Sequence, residues 1–142
     1  LTGGVKNHHQ SLYLLMVYLQ PNTSNQSVYL SLFEGRCTLA DFSHYMVSII
    51  HEENSETGSE LNQVPTIVSD GSNYSNLTIT TVGITQSGRY RYIVYGQNSS
   101  TNTDAEDASV VGVVEIGYLV IGDIKDYYDI VQTTSSNDII IQ

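Results

Sequence analysis

Two long runs with a strand period, joined by a polar and acidic connection, constrain this chain more than anything else in it. From Gly88 to Gly122 it reads GRYRYIVYGQNSSTNTDAEDASVVGVVEIGYLVIG. In the first run Tyr90, Tyr92 and Val94 fall on one face, and Arg89, Arg91 and Ile93 on the other. That period of two is the pleat of a half-buried strand. The second, Val111 to Ile121, is apolar on both sides except at Gly112, Glu115 and Gly117, which predicts a central strand or one buried between layers. Gln97 to Asp107 has no apolar period and predicts a long loop.

Shorter segments upstream carry the same signal. Leu12 to Leu19 predicts a first strand stopping at Pro21, Asn22 to Gln26 a turn, and Val28 to Phe33 a second strand, together a hairpin. Cys37 to Phe42 is compatible with a short helical turn. His44 to Glu52 predicts a strand, Glu53 to Leu61 an exposed loop, and Val64 to Val68 an edge strand because of Pro65. Asp70 to Ser75 reads as a turn, and Leu77, Ile79 and Thr81 as one face of a further strand. The expectation is an all-β sandwich of about 7–9 strands, immunoglobulin-like or of jelly-roll type. It occupies residues 1–122, and 123–142 form a last strand or an inter-subunit arm. The stretch LTITTVGITQSGRYRYIVY resembles the paired E and F strands of immunoglobulin domains, with Gly88 and Tyr90 at the turn into the long strand. Tyr92 stands where the second cysteine of such a domain would be.

Composition narrows the function classes. The 142 residues include 15 acidic and 5 basic side chains, for a net charge of −10. Phosphate contacts need clustered Lys and Arg, so nucleic acid is not an expected partner. No apolar run reaches the ~18–20 residues of a membrane span. The single Cys37 excludes an internal disulfide.

The run YIVYGQNSSTNTDAEDASVVGVVEIGYLVI resembles a pattern in small virion proteins of tailed bacteriophages that infect Bacteroidota. There an aromatic strand ends in Y-G-Q, followed by an S-x-T-N-T-D loop and A-x-V-V-G-x-x-E-x-G. Tyr95, Gly96, Gln97, Ser100, Asn102, Thr103, Asp104, Ala108, Val110, Val111, Gly112, Glu115 and Gly117 match, as do Leu1, Thr2, Gly4 and Asn7 of an L-T-x-G opening. Ala105 stands where that pattern usually has Pro. The resemblance implies a structural protein in the virion whose partners are other virion proteins and copies of itself.

Candidate sites are few. Asn102, Asp104, Glu106 and Asp107 put oxygen ligands in one loop, as Ca²⁺ requires, but lack the Gly and terminal Glu of an EF-hand. Acidic loops of this kind are more often simply solvated. His8 and His9 are adjacent and face apart in a strand. No G-x-S-x-G elbow, phosphate loop or paired acid–base carboxylates occur, so neither catalysis nor a cofactor is expected. Asn22, Asn25, Asn73, Asn76 and Asn98 each sit in N-x-[ST], a glycosylation acceptor in a secretory protein and a chance match otherwise. Six tyrosines, Tyr90, Tyr92, Tyr95, Tyr118, Tyr127 and Tyr128, suit a core or an interface better than a sugar platform. The interface candidates are therefore Tyr95, Gln97, Asn102 and Asp104 from the loop region, with Tyr127, Tyr128, Ile139 and Ile141 from the arm. The expected function is that of a phage virion structural protein, capsid-associated or of the neck or tail, acting by subunit assembly; the alternative is an immunoglobulin-like surface binding or adhesion module, with its acceptor asparagines open to glycosylation.

Overall fold

A computed structural model describes residues 17–53 and 60–122. The elements are β1 (Val17–Leu19), β2 (Gln26–Leu30), α1 (Phe33–Cys37), β3 (His44–His51), β4 (Glu60–Gln63), β5 (Thr66–Asp70), β6 (Ser75–Ile79), β7 (Gly88–Gln97) and β8 (Val110–Ile121). They form two sheets, a five-stranded one in the order β1-β8-β7-β3-β4 and a three-stranded one in the order β2-β6-β5. All pairings are antiparallel except β1 with β8. The expected all-β sandwich is what forms. Its strand order is that of a variable-type immunoglobulin domain, with β2, β6 and β5 opposite β3, β7 and β8, and β4 added beside β3.

The core lies between the sheets and follows the pleat. Val28, Leu30, Leu77 and Ile79 point inward from one side, and Tyr45, Val47, Ile49, Tyr90, Tyr92, Val94 and Leu119 from the other. Val28 and Tyr92 line the same apolar gap of ≈ 10 Å³, too small for more than about one water. A tyrosine ring thus fills space that a bridge would span elsewhere, and Cys37 is exposed. Burial, helped by the charge of Glu115, raises the Tyr92 hydroxyl pKa to about 12. The Tyr90 hydroxyl donates to the Gln86 carbonyl oxygen at 2.6 Å, closing the corner into β7. The His51 ring meets Tyr90 edge-on at 4.8 Å.

Several expectations need correction. The β1–β2 hairpin does not form: β1 joins β8 and β2 joins β6. The intervening turn carries the chain from one sheet to the other, with Asn22 and Asn25 at φ 48° and 56°, a region Asn tolerates better than most residues. Buried Thr81 fixes that corner, accepting from Thr23 N and Gln26 Nε2 and donating to the Gln20 carbonyl. The second strand ends at Leu30, and the helical turn lies earlier than expected, at Phe33–Cys37. There Gly35 lies so close to the Val114 carbonyl that a Cβ would fall 1.8 Å from its oxygen. The segment read as an exposed loop, Glu53 to Leu61, already contains the start of β4 at Glu60. β5 is an edge strand, as Pro65 implied, and is exposed at all five positions. β8 sits between β1 and β7, yet its outer face is open to solvent at Val113, Ile116 and Tyr118. The arm at 123–142, with Tyr127, Tyr128, Ile139 and Ile141, and the His8–His9 pair lie outside the described residues.

Candidate functional site

The register brings three connections to one end of the sandwich. Leu30 pairs with Ser75 and Asp70 with Ser75, while His44 pairs with Gln97 and Gln97 with Val110. The α1-bearing segment, the β5–β6 turn and the loop 98–109 therefore emerge together. Loops gathered on a rigid sheet end are where such folds commonly carry recognition.

The loop is held in one shape by its own polar groups. Fully buried Gln97 donates from Nε2 to the Asn102 carbonyl (3.0 Å) and accepts at Oε1 from Asn102 Nδ2 (2.8 Å). Asn102 Nδ2 also donates to the Asp104 carbonyl, and Asn102 Oδ1 accepts from Asp104 N. Asp104 Oδ1 accepts from Glu106 N, and Asp107 Oδ2 from both Ser109 N and its hydroxyl. Those Ser109 bonds hold the Asp107 carboxyl below its usual pKa. Asn98 N closes the loop onto the Ser109 carbonyl at 2.9 Å.

Of the four candidate Ca²⁺ ligands, Asn102, Asp104 and Asp107 thus spend side-chain oxygens on nearby N–H and O–H donors. Among the described residues no group of three or more His, Cys, Asp or Glu is placed to hold a metal ion. Gln97, Asn102 and Asp104 are linked by hydrogen bonds at the loop, while Tyr95 lies in the β7 ladder opposite Val113, so the four residues have different roles. Gln97 is an internal anchor, Tyr95 is half-buried on the outer face of β7, and Asp104 reaches solvent.

Beneath the loops lies a polar cluster that no local spacing signalled. Asp70, at the end of β5, forms an ion pair with Arg36 of α1 and accepts from the Tyr45 hydroxyl at 2.8 and 3.0 Å and from the Ser75 hydroxyl. It ties the two sheets and the helix together at the end that presents the loops. Burial raises the Tyr45 hydroxyl pKa to about 12, reinforced by the hydrogen bond to the Asp70 carboxylate.

Four residues of the Y-G-Q and A-x-V-V-G run and the loop between them, Gly96, Gln97, Asn102 and Gly112, have folding reasons here. Gly96 is covered by the Phe42 ring and Gly112 by Leu39, with a Cβ at either position coming within 2.6 or 2.8 Å of those side chains. Gln97 and Asn102 shape the loop between them. Of the acceptor asparagines, Asn22, Asn25, Asn73 and Asn98 are exposed and Asn76 is half-buried. Compared with protein-family models, with curated proteins and with solved structures, the chain matches none.

Proposed function

We propose that this chain is an immunoglobulin-like recognition domain, displayed on a cell or viral surface, that works by protein contact through the loop 98–109 and its neighbours. The observation that carries this reading is the variable-type strand order with a long, internally braced loop at one end. A pre-shaped loop loses less conformational freedom on binding than a floppy one. Four solvent-facing acceptor asparagines suit a protein made in a secretory pathway. The test is a fluorescent tetramer of the domain, applied to a panel of cell and virion surfaces. It is compared with a variant whose residues 98–109 are replaced by an Asn-Gly turn. The expected result is saturable binding that the replacement abolishes while the melting temperature stays within a few degrees. Equal binding by both, or binding to no surface in the panel, overturns the reading.

The second reading is a tailed-phage virion component, which the motif resemblance implies. The observation favouring it is β5, which has no strand on its outer side among the described residues and is exposed along its whole length with Ile67 and Val68, the kind of edge that strand addition by a neighbour uses. Antibody labelling of purified phage particles tests it, and unlabelled particles refute it.

A further inference from the structure

On the reading of a surface domain made in a secretory pathway, on which this step rests, we infer that Asn76 carries an N-linked glycan. Its first sugar packs into the corner between Tyr29 and Tyr74, on the outer face of the three-stranded sheet. The loop 98–109 belongs to the opposite sheet, so this site is separate from the recognition surface.

Three observations carry it. First, the face has the chemistry of a sugar contact. Alternation in β6 buries Ser75, Leu77 and Ile79 and turns Asn76 and Thr78 outward. The register sets Asn76 between Tyr29 of β2 and Ser69 of β5, and Thr78 between Ser27 and Thr66. These positions offer hydroxyls and an amide with no charge among them, although the chain has a net charge of −10. Second, two aromatic rings stand open beside Asn76. Tyr29 and Tyr74 are 55% and 56% exposed, and meet edge to face with centroids 5.4 Å apart. Such rings take the C–H side of a sugar, while their hydroxyls stay free to hydrogen-bond. Third, the Asn76 amide is already aimed at them. Its Oδ1 accepts from the Ser27 hydroxyl at 2.7 Å, and its Nδ2, the atom that bears a glycan, donates to the Tyr29 hydroxyl at 3.5 Å, both at the exposed surface. Asn76-Leu77-Thr78 also differs from the four other acceptor sequences in ending in Thr, the better acceptor signal, where they end in Ser.

The donor is an oligosaccharide carried on a lipid pyrophosphate. Nδ2 of Asn76 attacks C1 of its first sugar: the N–C1 bond forms as the C1–O bond to the pyrophosphate breaks, the amide gives up one proton, and the lipid pyrophosphate leaves. Transfer takes place on the extended chain, so the half-buried position of Asn76 in the finished sheet does not bar it. On folding, the Ser27 bond to Oδ1 needs no change and sends the sugar over the tyrosines. A free saccharide has to reach this face by its own affinity, whereas one tethered at Asn76 is held there at high effective concentration. That favours the chain's own glycan as the occupant.

The test compares the full chain secreted from mammalian cells with the same chain made in the bacterial cytosol, where no glycan is added. Mass spectrometry of peptides, after glycosidase release in ¹⁸O water, reads the occupancy of each acceptor. The expected result is Asn76 occupied in most molecules. The secreted protein, trimmed by endoglycosidase to one sugar per site, should melt about 3–5 °C above the bacterial one. N76Q should lose that gain. Y74A, or Y29L should the first fold poorly, should lose it too while Asn76 stays occupied. Circular dichroism confirms that each variant is folded. A bare Asn76, or a gain that survives N76Q or both tyrosine variants, overturns the inference. Bare Asn76 with saturable chitobiose binding by the bacterial protein would assign the face to a foreign saccharide instead. Other acceptors occupied with Asn76 bare would sink this site and leave the secretory reading standing, and loss of loop-dependent binding would leave the glycan result as it is.

Discussion

Replacing Gln97 by Met should disorder the loop 98–109 and leave the sandwich standing. The side chain is fully buried and exchanges two hydrogen bonds with Asn102, at 2.8 and 3.0 Å. Methionine keeps the length and volume and removes both partners. Each bond contributes a net of about 1 kcal/mol, and stranding the Asn102 carbonyl adds to the loss, so the closed loop is weakened by about 2–3 kcal/mol. At ~1.4 kcal/mol per decade, that is roughly 30- to 150-fold in the closed-to-open ratio. The loss should be local, because the β7–β8 ladder is held by its own backbone pairing from Gly88 to Gln97. Amide hydrogen exchange reads it directly. Protection at Asn102, Asp104 and Glu106 should fall by that factor while Val94 and Leu119 amides are unchanged. Unchanged loop protection would show that Gln97 is not the anchor. Loss at Val94 as well would show that loop and sheet open as one unit.

Three further outcomes follow from the same interior. Asp70→Ala removes the acceptor of Tyr45 and Ser75 and the partner of Arg36, and should lower stability by about 2–4 kcal/mol in denaturant unfolding, discounted for the part-exposed ion pair. Tyr90→Phe deletes the corner bond to Gln86 and should cost about 1–1.5 kcal/mol by the same measurement, while an unchanged midpoint would refute that role. Alkaline titration followed at 295 nm should show Tyr45 and Tyr92 ionising only near pH 12. Their folded-state pKa values lie above the ordinary 10, so the stability they contribute is whole below pH 10 and is lost as pH rises towards 12. Y45F and Y92F should each remove one late ionisation.

How far the sequence foretold the fold depended on which partner a residue has. β7 was legible because its signal is local: alternating Tyr90, Tyr92 and Val94 do face the core, and Arg89 and Arg91 face water. β4 was hidden for the opposite reason. Gln63 points inward, donating to the Thr80 carbonyl and accepting from Thr80 N, both at 2.7 Å, so a polar letter stands where an apolar one is expected. The β1–β2 hairpin failed because a turn announces a change of direction and says nothing about which strand lies alongside. Asp70, Tyr45 and Arg36 meet across 25 and 34 positions of sequence, and no periodicity links such distances. The loop's position was plain from its composition, whereas its anchoring by Gln97 depended on burial that only the packed hairpin creates.

The parallel pairing of β1 with β8 has a mechanical consequence. Val17 lies beside Leu119 and Leu19 beside Ile121, so the chain runs into β1 and out of β8 in the same direction along adjoining strands. Tension applied upstream of Val17 and downstream of Ile121 would pull the two strands lengthwise past each other. It loads their cross-links together, in shear, rather than peeling them one at a time. The Tyr18 hydroxyl, bonded to the Gly122 carbonyl, and Gly122 N, bonded to the Leu19 carbonyl, lie in that same line of load. A domain wired this way resists being stretched where a terminal hairpin would unzip.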